Sequence, residues 1–314
     1  MPTVVQYRGA FVESRHPFTV ACARAGGEVT LAGPALSTTF RSASKPFQLA
    51  TSLEVLGFPE VDEAWLAVGA ASHNAEPRHV ALVEAILARF GVEASGLRCG
   101  AHAPVHVPSA EAVVRFGGTY TALHNNCSGK HAFMLAAARH AGWGPDYRPL
   151  SHPLQQRVLE RLRGWTGEVT GTGTDGCGVP TFVQPLQAVA RGWLAVAEAM
   201  RARDGVLGRI GWAMARHPAL TSGEGRLDLD VVTLASEPLA VKVGAMGLFC
   251  MALPERQLAL AVKLEPGTNE ALPAAVAWAL AHFAPGSFSP PPDWTHVQVR
   301  NVVGDVVGHW SAEP

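Results

Sequence analysis

The spacing of apolar positions changes character along the chain and divides it into recognisable segments. Two runs, Phe18 to Ala23 and Glu28 to Ala32, flank Ala25-Gly26-Gly27 and read as a hairpin near the start. A helix follows over Lys45 to Leu56, closed by Gly57. Ala64 to Ala71 is a short apolar run that fits a buried strand or a buried helix equally well. Helical spacing returns at Arg78 to Phe90, His131 to His140, Pro153 to Trp165, Pro185 to Arg201 and Leu207 to Arg216, with loops rich in glycine and proline between. After Leu234 the pattern alternates, giving strands at Leu239 to Val243, Gly247 to Leu253 and Leu258 to Leu264. Ala271 to Phe283 is a last helix, stopped by Pro285-Gly286, and Val297 to Val307 closes the chain as a hairpin.

Strand-rich ends therefore bracket a helix-rich middle. The expected class is α/β of the α+β kind, with an antiparallel sheet built from both termini and packed with helices. One unit over 1–314 is expected, with a sheet-containing part at 1–40 and 235–314 and a helix-rich part at 41–234.

Composition narrows the field. Hydrophobic residues make up 48% and charged residues 16%, which implies a large buried core and excludes disorder. A formal net charge of −1 gives no field of one sign, so no nucleic-acid partner is expected. No run reaches the roughly 18 apolar residues that cross a bilayer, and Met1 to His16 has no secretory pattern, so a cytoplasmic protein without a membrane partner is expected. The cysteines Cys22, Cys99, Cys127, Cys177 and Cys250 are odd in number and scattered, a poor disulfide framework that suits a reducing compartment.

Of the 25 basic residues only Lys45, Lys130, Lys242 and Lys263 are lysine; the rest are arginine. An ammonium loses its proton when desolvated and a guanidinium does not, so lysine is kept where a base or a metal ligand is needed, unless codon bias alone thinned it. Ser42 and Lys45 form S-x-x-K at a helix start, where residues three apart share a face. Serine becomes a nucleophile when a neighbouring base takes its proton. The alternative is that Ser42 or Ser44 merely caps the helix. Ser128-Gly129-Lys130 and Lys242-Val243-Gly244 follow. Serine β-lactamases and penicillin-binding proteins keep the same order, S-x-x-K, a serine triplet, then a lysine triplet on a facing strand. Lys242 is then an electrostatic partner that holds substrate or lowers the pKa of Lys45, or else a strand-edge charge in solvent.

Two further segments carry candidate chemistry. Cys127 stands at the start of a helix, where the dipole favours thiolate, and Cys177 lies in the glycine-rich stretch Gly171 to Gly178. That stretch lacks the Gly-Lys-Ser/Thr ending of a phosphate loop, so no nucleotide or other organic cofactor is expected. The two thiols can share a soft metal or be buried free cysteines. His73, Glu76 and His79 fall three apart but lack a metal-helix pattern, and Asn74 reads as a helix cap with Ser72 pointing into a site.

Arg-Ser-Ala-Ser-Lys-Pro from Arg41, Ser-His-Asn-Ala-Glu from Ser72, Asn-Cys-Ser-Gly-Lys-His from Asn126, Gly-Thr-Asp-Gly-Cys from Gly173, Gly-Glu-Gly-Arg from Gly223 and Lys-Val-Gly-Ala from Lys242 resemble the asparaginase II family of zinc-containing rhizobial L-asparaginases. The resemblance spans about Arg41 to Lys263. It implies a fold similar to serine β-lactamases and glutaminases, a homodimer, and the serine–lysine pairs Ser42 with Lys45 and Ser72 with Lys242. It also implies zinc held by Cys127, Lys130, Cys177 and water, with Arg41, Asp175 and Glu224 holding the charged ends of an amino-acid substrate. Met246 departs from the acidic residue expected after Lys-Val-Gly-Ala, and Lys263 matches no catalytic position.

The expected reaction is hydrolysis of the side-chain amide of L-asparagine to L-aspartate and ammonia. Ser42 is the first choice as nucleophile, Lys45 the base and Ser72 a relay, although the serines can exchange roles. The alternatives are another acyl-serine amidohydrolase, acting on glutamine or a β-lactam, and a non-catalytic zinc-stabilised binding protein.

Overall fold

A computed structural model describes residues 1–295 and 297–314. Its strands are β1 (Thr3–Arg8), β2 (Phe11–Arg24), β3 (Val29–Ala32), β4 (Ser37–Thr39), β5 (Gly171–Thr174), β6 (Pro180–Pro185), β7 (Ala240–Val243), β8 (Leu248–Leu253), β9 (Leu258–Leu264), β10 (Val297–Arg300) and β11 (Val306–Glu313). The helices are α1 (Lys45–Val55), α2 (Glu63–Gly69), α3 (Pro77–Arg89), α4 (Val107–Arg115), α5 (Ser128–His140), α6 (Pro153–Thr166), α7 (Leu186–Ala202), α8 (Gly205–Arg216), α9 (Pro218–Thr221), α10 (Leu227–Leu234), α11 (Leu272–Phe283) and α12 (Pro292–Thr295). The class is α+β, as the apolar spacing implies.

The main sheet runs β10-β11-β1-β2-β9-β8-β7, with β3 also pairing β2. All these pairings are antiparallel, so the two ends of the chain meet in one sheet. β8 and most of β9 are buried along their length, which is why they read as apolar runs with little alternation. A second sheet, β4-β6-β5, ties the chain before α1 to the Gly171 stretch. The glycine-rich segment expected as loop is therefore part strand.

Two apolar cores flank the main sheet. Alternate residues of β9 supply each: Ala259 and Ala261 face the helices around α1, α5 and α7, while Leu258, Leu260 and Val262 face α11. Phe47 of α1 anchors the first core, with ring centroids 5.5 Å from Phe40, 5.4 Å from Trp165 and 6.4 Å from Trp193. Aromatic pairs at such distances add about 0.5–1.5 kcal/mol each beyond area burial. They fix the start of α1, where the candidate serine and lysine sit.

Ala64 to Ala71 resolves as a helix, because α2 needs both faces: Leu66, Ala67, Val68 and Gly69 are all buried. Gly129 explains how α5 approaches it. A Cβ there would stand 2.2 Å from the Val68 carbonyl oxygen, so only glycine lets the start of α5 lie against α2.

Candidate active site

Arg41–Ser44 is a turn of 3-10 helix leading into α1, and neither serine caps it: Ser44 Oγ donates back to the Arg41 carbonyl at 2.7 Å. Helix capping therefore does not account for these serines. Arg41 has φ +44°, a left-handed conformation that turns the chain sharply into Ser42.

Lys45 is fully buried. Its Nζ donates to the Ala71 carbonyl at 2.6 Å, to Ser72 Oγ at 2.8 Å and more weakly to the Asn126 carbonyl at 3.4 Å. The expected bond to Ser42 is absent among the described residues, and Ser72 takes that place. Burial pushes the Lys45 pKa below its ordinary value, with Lys130 adding to the effect and Cys127 and Cys177 opposing it. All three hydrogen-bond acceptors of Lys45 are uncharged oxygens.

Ser72 is held by its backbone. Its N–H donates to the Thr221 carbonyl at 3.1 Å, the next amide, His73, donates to Asn126 at 3.2 Å, and Asn74 donates to Ser222 at 2.8 Å. The Ser72 amide is thus committed and unavailable to an oxyanion. Ser42 is half-buried, and among the described residues no group hydrogen-bonds its hydroxyl.

Lys242 lies on β7, in register with Cys250 of β8, and is as buried as Lys45. This excludes a solvated strand-edge charge. Its Nζ donates to the Val243 carbonyl at 3.0 Å and lies 3.6 Å from Asp228 Oδ1. Burial pushes its pKa down to about 8, with Lys45 and Arg226 adding to the fall and Asp228 resisting it. The expected partner, Ser72, does not bond to it. The acid Asp228 was not anticipated from sequence; two aspartates within the apolar octet Leu227–Leu234 were the available signal.

Cys127, Lys130 and Cys177 come together from the start of α5 and the turn between β5 and β6. Lys130 Nζ donates to Cys177 Sγ at 3.2 Å, and all three side chains are buried. The Cys127 thiol is held well below its usual pKa, first by its hydrogen bond with Cys177 and then by Lys45 and Lys130. Burial disfavours the Lys130 ammonium, but Cys177, Cys127 and Asp175 outweigh it and raise its pKa. His131 is missing from the sequence-based set. Its Nδ1 meets Tyr147 Oη at 2.9 Å, while Nε2 is buried without a hydrogen-bond partner and burial pushes its pKa down to about 4. Among the described residues no group of three or more His, Cys, Asp or Glu is placed to hold a metal. A metal here must take lysine. Two sulfurs and one amine form a soft donor set that fits zinc. All five cysteines are free, as the scattered spacing implies.

Arg41 and Asp175 hold each other: Arg41 Nε donates to Asp175 Oδ1, and the Gly176 amide donates to the same oxygen at 2.8 Å. Burial would raise the Asp175 carboxyl, but Lys130 and Arg41 outweigh it and keep the group low. Glu224 is displaced from the expected role. Its amide donates to Glu76 Oε1 at 3.0 Å while its carboxylate faces solvent, 3.9 Å from Arg78. Gly223, φ +131°, packs where a Cβ would be 2.4 Å from Glu76 Oε1.

The expected Asn74 cap is not formed. Glu76 caps α3 in a reciprocal arrangement with His79, and Asn74 instead donates to the Glu224 carbonyl at 2.9 Å and accepts from Arg226 at 3.1 Å. His73 spends its nitrogens on the Ala75 amide and Ser128 Oγ, and His79 on the Glu76 amide and the Ala219 carbonyl. No metal helix results. Lys263 donates to the carbonyls of Met246 and Leu264, a structural role, and Met246 stands exposed with φ +59°.

The family model for L-asparaginase II matches residues 4–312. The chain belongs to the L-asparaginase II family. No curated protein matches it. Among solved structures it is similar to native Mglu at 16% identity and TM-score 0.37, covering 85% of this chain and 63% of Mglu. A β-lactamase from Mycobacterium bovis gives 14% identity and TM-score 0.38, covering 84% of this chain and 94% of that one. The chain thus spans under two thirds of the length of Mglu. Among the described residues no helix of this L-asparaginase II family member is long and apolar enough to cross a membrane.

Proposed function

We propose that this asparaginase-family protein hydrolyses the side-chain amide of L-asparagine through an acyl-serine. The observation that supports this most is the buried Lys45 amine, held on two carbonyls and 2.8 Å from Ser72 Oγ with no carboxylate paired to it. Burial lowers the pKa of a lysine in that cage, which favours its use as a base.

Ser42 is the first choice as nucleophile, because its hydroxyl is uncommitted and more accessible than that of Ser72. Its oxygen attacks the amide carbon and its proton passes to Lys45 Nζ, with Ser72 holding that nitrogen and relaying the proton to the leaving nitrogen. The C–N bond breaks and ammonia departs. Water then attacks the ester, Lys45 takes its proton, and aspartate leaves as the serine regains a hydrogen. The 2.8 Å contact favours a second reading in which Ser72 itself attacks. Lys242 supplies positive charge to the same pocket, since β7 packs against the Arg41–Ser44 turn.

Zinc would be held by Cys127, Lys130 and Cys177, and when bound supplies a fixed positive charge for placing substrate. Because only a neutral amine coordinates, Lys130 gives up its proton on binding. Arg41, locked by Asp175, presents a guanidinium to the substrate carboxylate. The reading includes a homodimer, so light scattering should give a mass near twice 33.1 kDa.

The deciding experiment measures ammonia release from asparagine and glutamine, with and without added zinc, beside a chromogenic lactam. Turnover of asparagine is expected; turnover of glutamine or the lactam alone would replace the substrate. Trapping with an electrophilic asparagine analogue and mapping the labelled peptide assigns the nucleophile to the Ser42 or Ser72 segment. No adduct and no turnover would leave a binding protein.

A further inference from the structure

Two buried lysines stand near one another, yet only one has a carboxylate. Asp228 is as sealed as Lys242, its Oδ1 accepts the Val243 amide at 2.8 Å, and the same oxygen lies 3.6 Å from Lys242 Nζ. Oδ2 is buried with no hydrogen-bond partner, so the whole negative charge of this group faces the interior beside the lysine. A buried carboxylate without a cation nearby is strongly disfavoured, so the pair is mutually dependent. Among the described residues Lys45 has no ion pair.

The other groups around Lys242 do not take over this task. Lys45 of α1 and Arg226 before α10 repel its charge, Cys127 of α5 favours it weakly, and Cys250 of β8 is a thiol kept protonated by burial. α8 packs on β7 with apolar side chains and glycines. The Arg41–Ser44 turn brings Arg41, already paired with Asp175.

We propose that Asp228 is a positioning residue that keeps Lys242 a cation. This rests on the acyl-serine reading above, in which Lys242 holds developing negative charge.

The chain's four lysines make the test direct. Carbon-13 at lysine Cε gives four resonances, assigned by single Lys→Arg substitutions and followed against pH in the full-length protein. Wild-type Lys242 is expected to titrate near pH 8. In Asp228→Asn, whose amide oxygen still accepts from Val243, its midpoint should fall by about one unit or more, about tenfold in the ratio of charged to neutral amine. The alkaline limb of kcat/KM on asparagine should move down with it, and Asp228→Glu should restore both. Asp228→Ser reads the same shift if Asn does not fold. A Lys242 already neutral at pH 7 in the wild type, or a midpoint indifferent to Asp228, overturns the proposal even if activity falls. If Lys242 follows Asp228 while asparagine is not hydrolysed, the charge assignment stands and the asparaginase reading falls.

Discussion

Lys45 and Lys130 lie in one core and are equally hidden from water, yet their pKa values move in opposite directions. Around Lys45 stand two carbonyl oxygens and a hydroxyl, and Cys127 and Cys177 favour its charge too weakly to offset burial. Around Lys130 stand Cys177, Cys127 and, further off, Asp175, which do favour the charge. Burial sets the cost of an ammonium; the neighbours decide whether it is borne. One region is arranged for proton transfer, the other for a cation, whether ammonium or metal.

The largest effect should come from removing the first region's amine. Lys45→Met is expected to lower ammonia release from asparagine by about 10²–10⁴-fold, the usual weight of a general base. Near-normal turnover would dismiss Lys45 as base. Ser42→Ala should abolish the covalent adduct while Ser72→Ala slows turnover and leaves an adduct; the reverse pattern makes Ser72 the nucleophile. In the second region, Cys127→Ser or Cys177→Ser should reduce bound zinc from stoichiometric to trace amounts by elemental analysis, and unchanged metal would remove this site from consideration. Gly129→Ala pushes α5 off α2 and should cost about 1–3 kcal/mol in urea unfolding, as overpacking does; an unaltered midpoint would mean that the contact is slack. The smallest change belongs to Glu224→Gln. Its exposed pairing with Arg78 is worth little, so KM should move less than about threefold, whereas a tenfold rise would restore it as a substrate ligand.

Local spacing was informative wherever one face of an element meets one core. The hairpin around Gly26, the helices α3 and α5 to α8 and the C-terminal hairpin all follow from it. Elements with weak amphipathic contrast escaped notice. β1 alternates poorly, α4 buries none of its residues, and α10 carries acids among apolar residues. At the site, residue types were legible and partners were not. S-x-x-K placed Ser42 and Lys45 side by side, but the 3-10 turn and the carbonyls of Ala71 and Asn126 draw the amine to Ser72. Those acceptors come from segments distant in sequence, and no local periodicity encodes them. Likewise Asp228 reaches Lys242 only because α10 packs on β7.

Sealing three of four lysines inside leaves the permanent cations of the exterior almost wholly guanidinium. Guanidinium keeps its proton at any pH a protein survives. The surface cation pattern therefore stays constant in alkaline solution while the interior amines change state. Acylating reagents and aldehyde cross-linkers, which need a free amine, find Lys263 and the chain terminus and little else, so labelling of any further lysine reports that the core has opened.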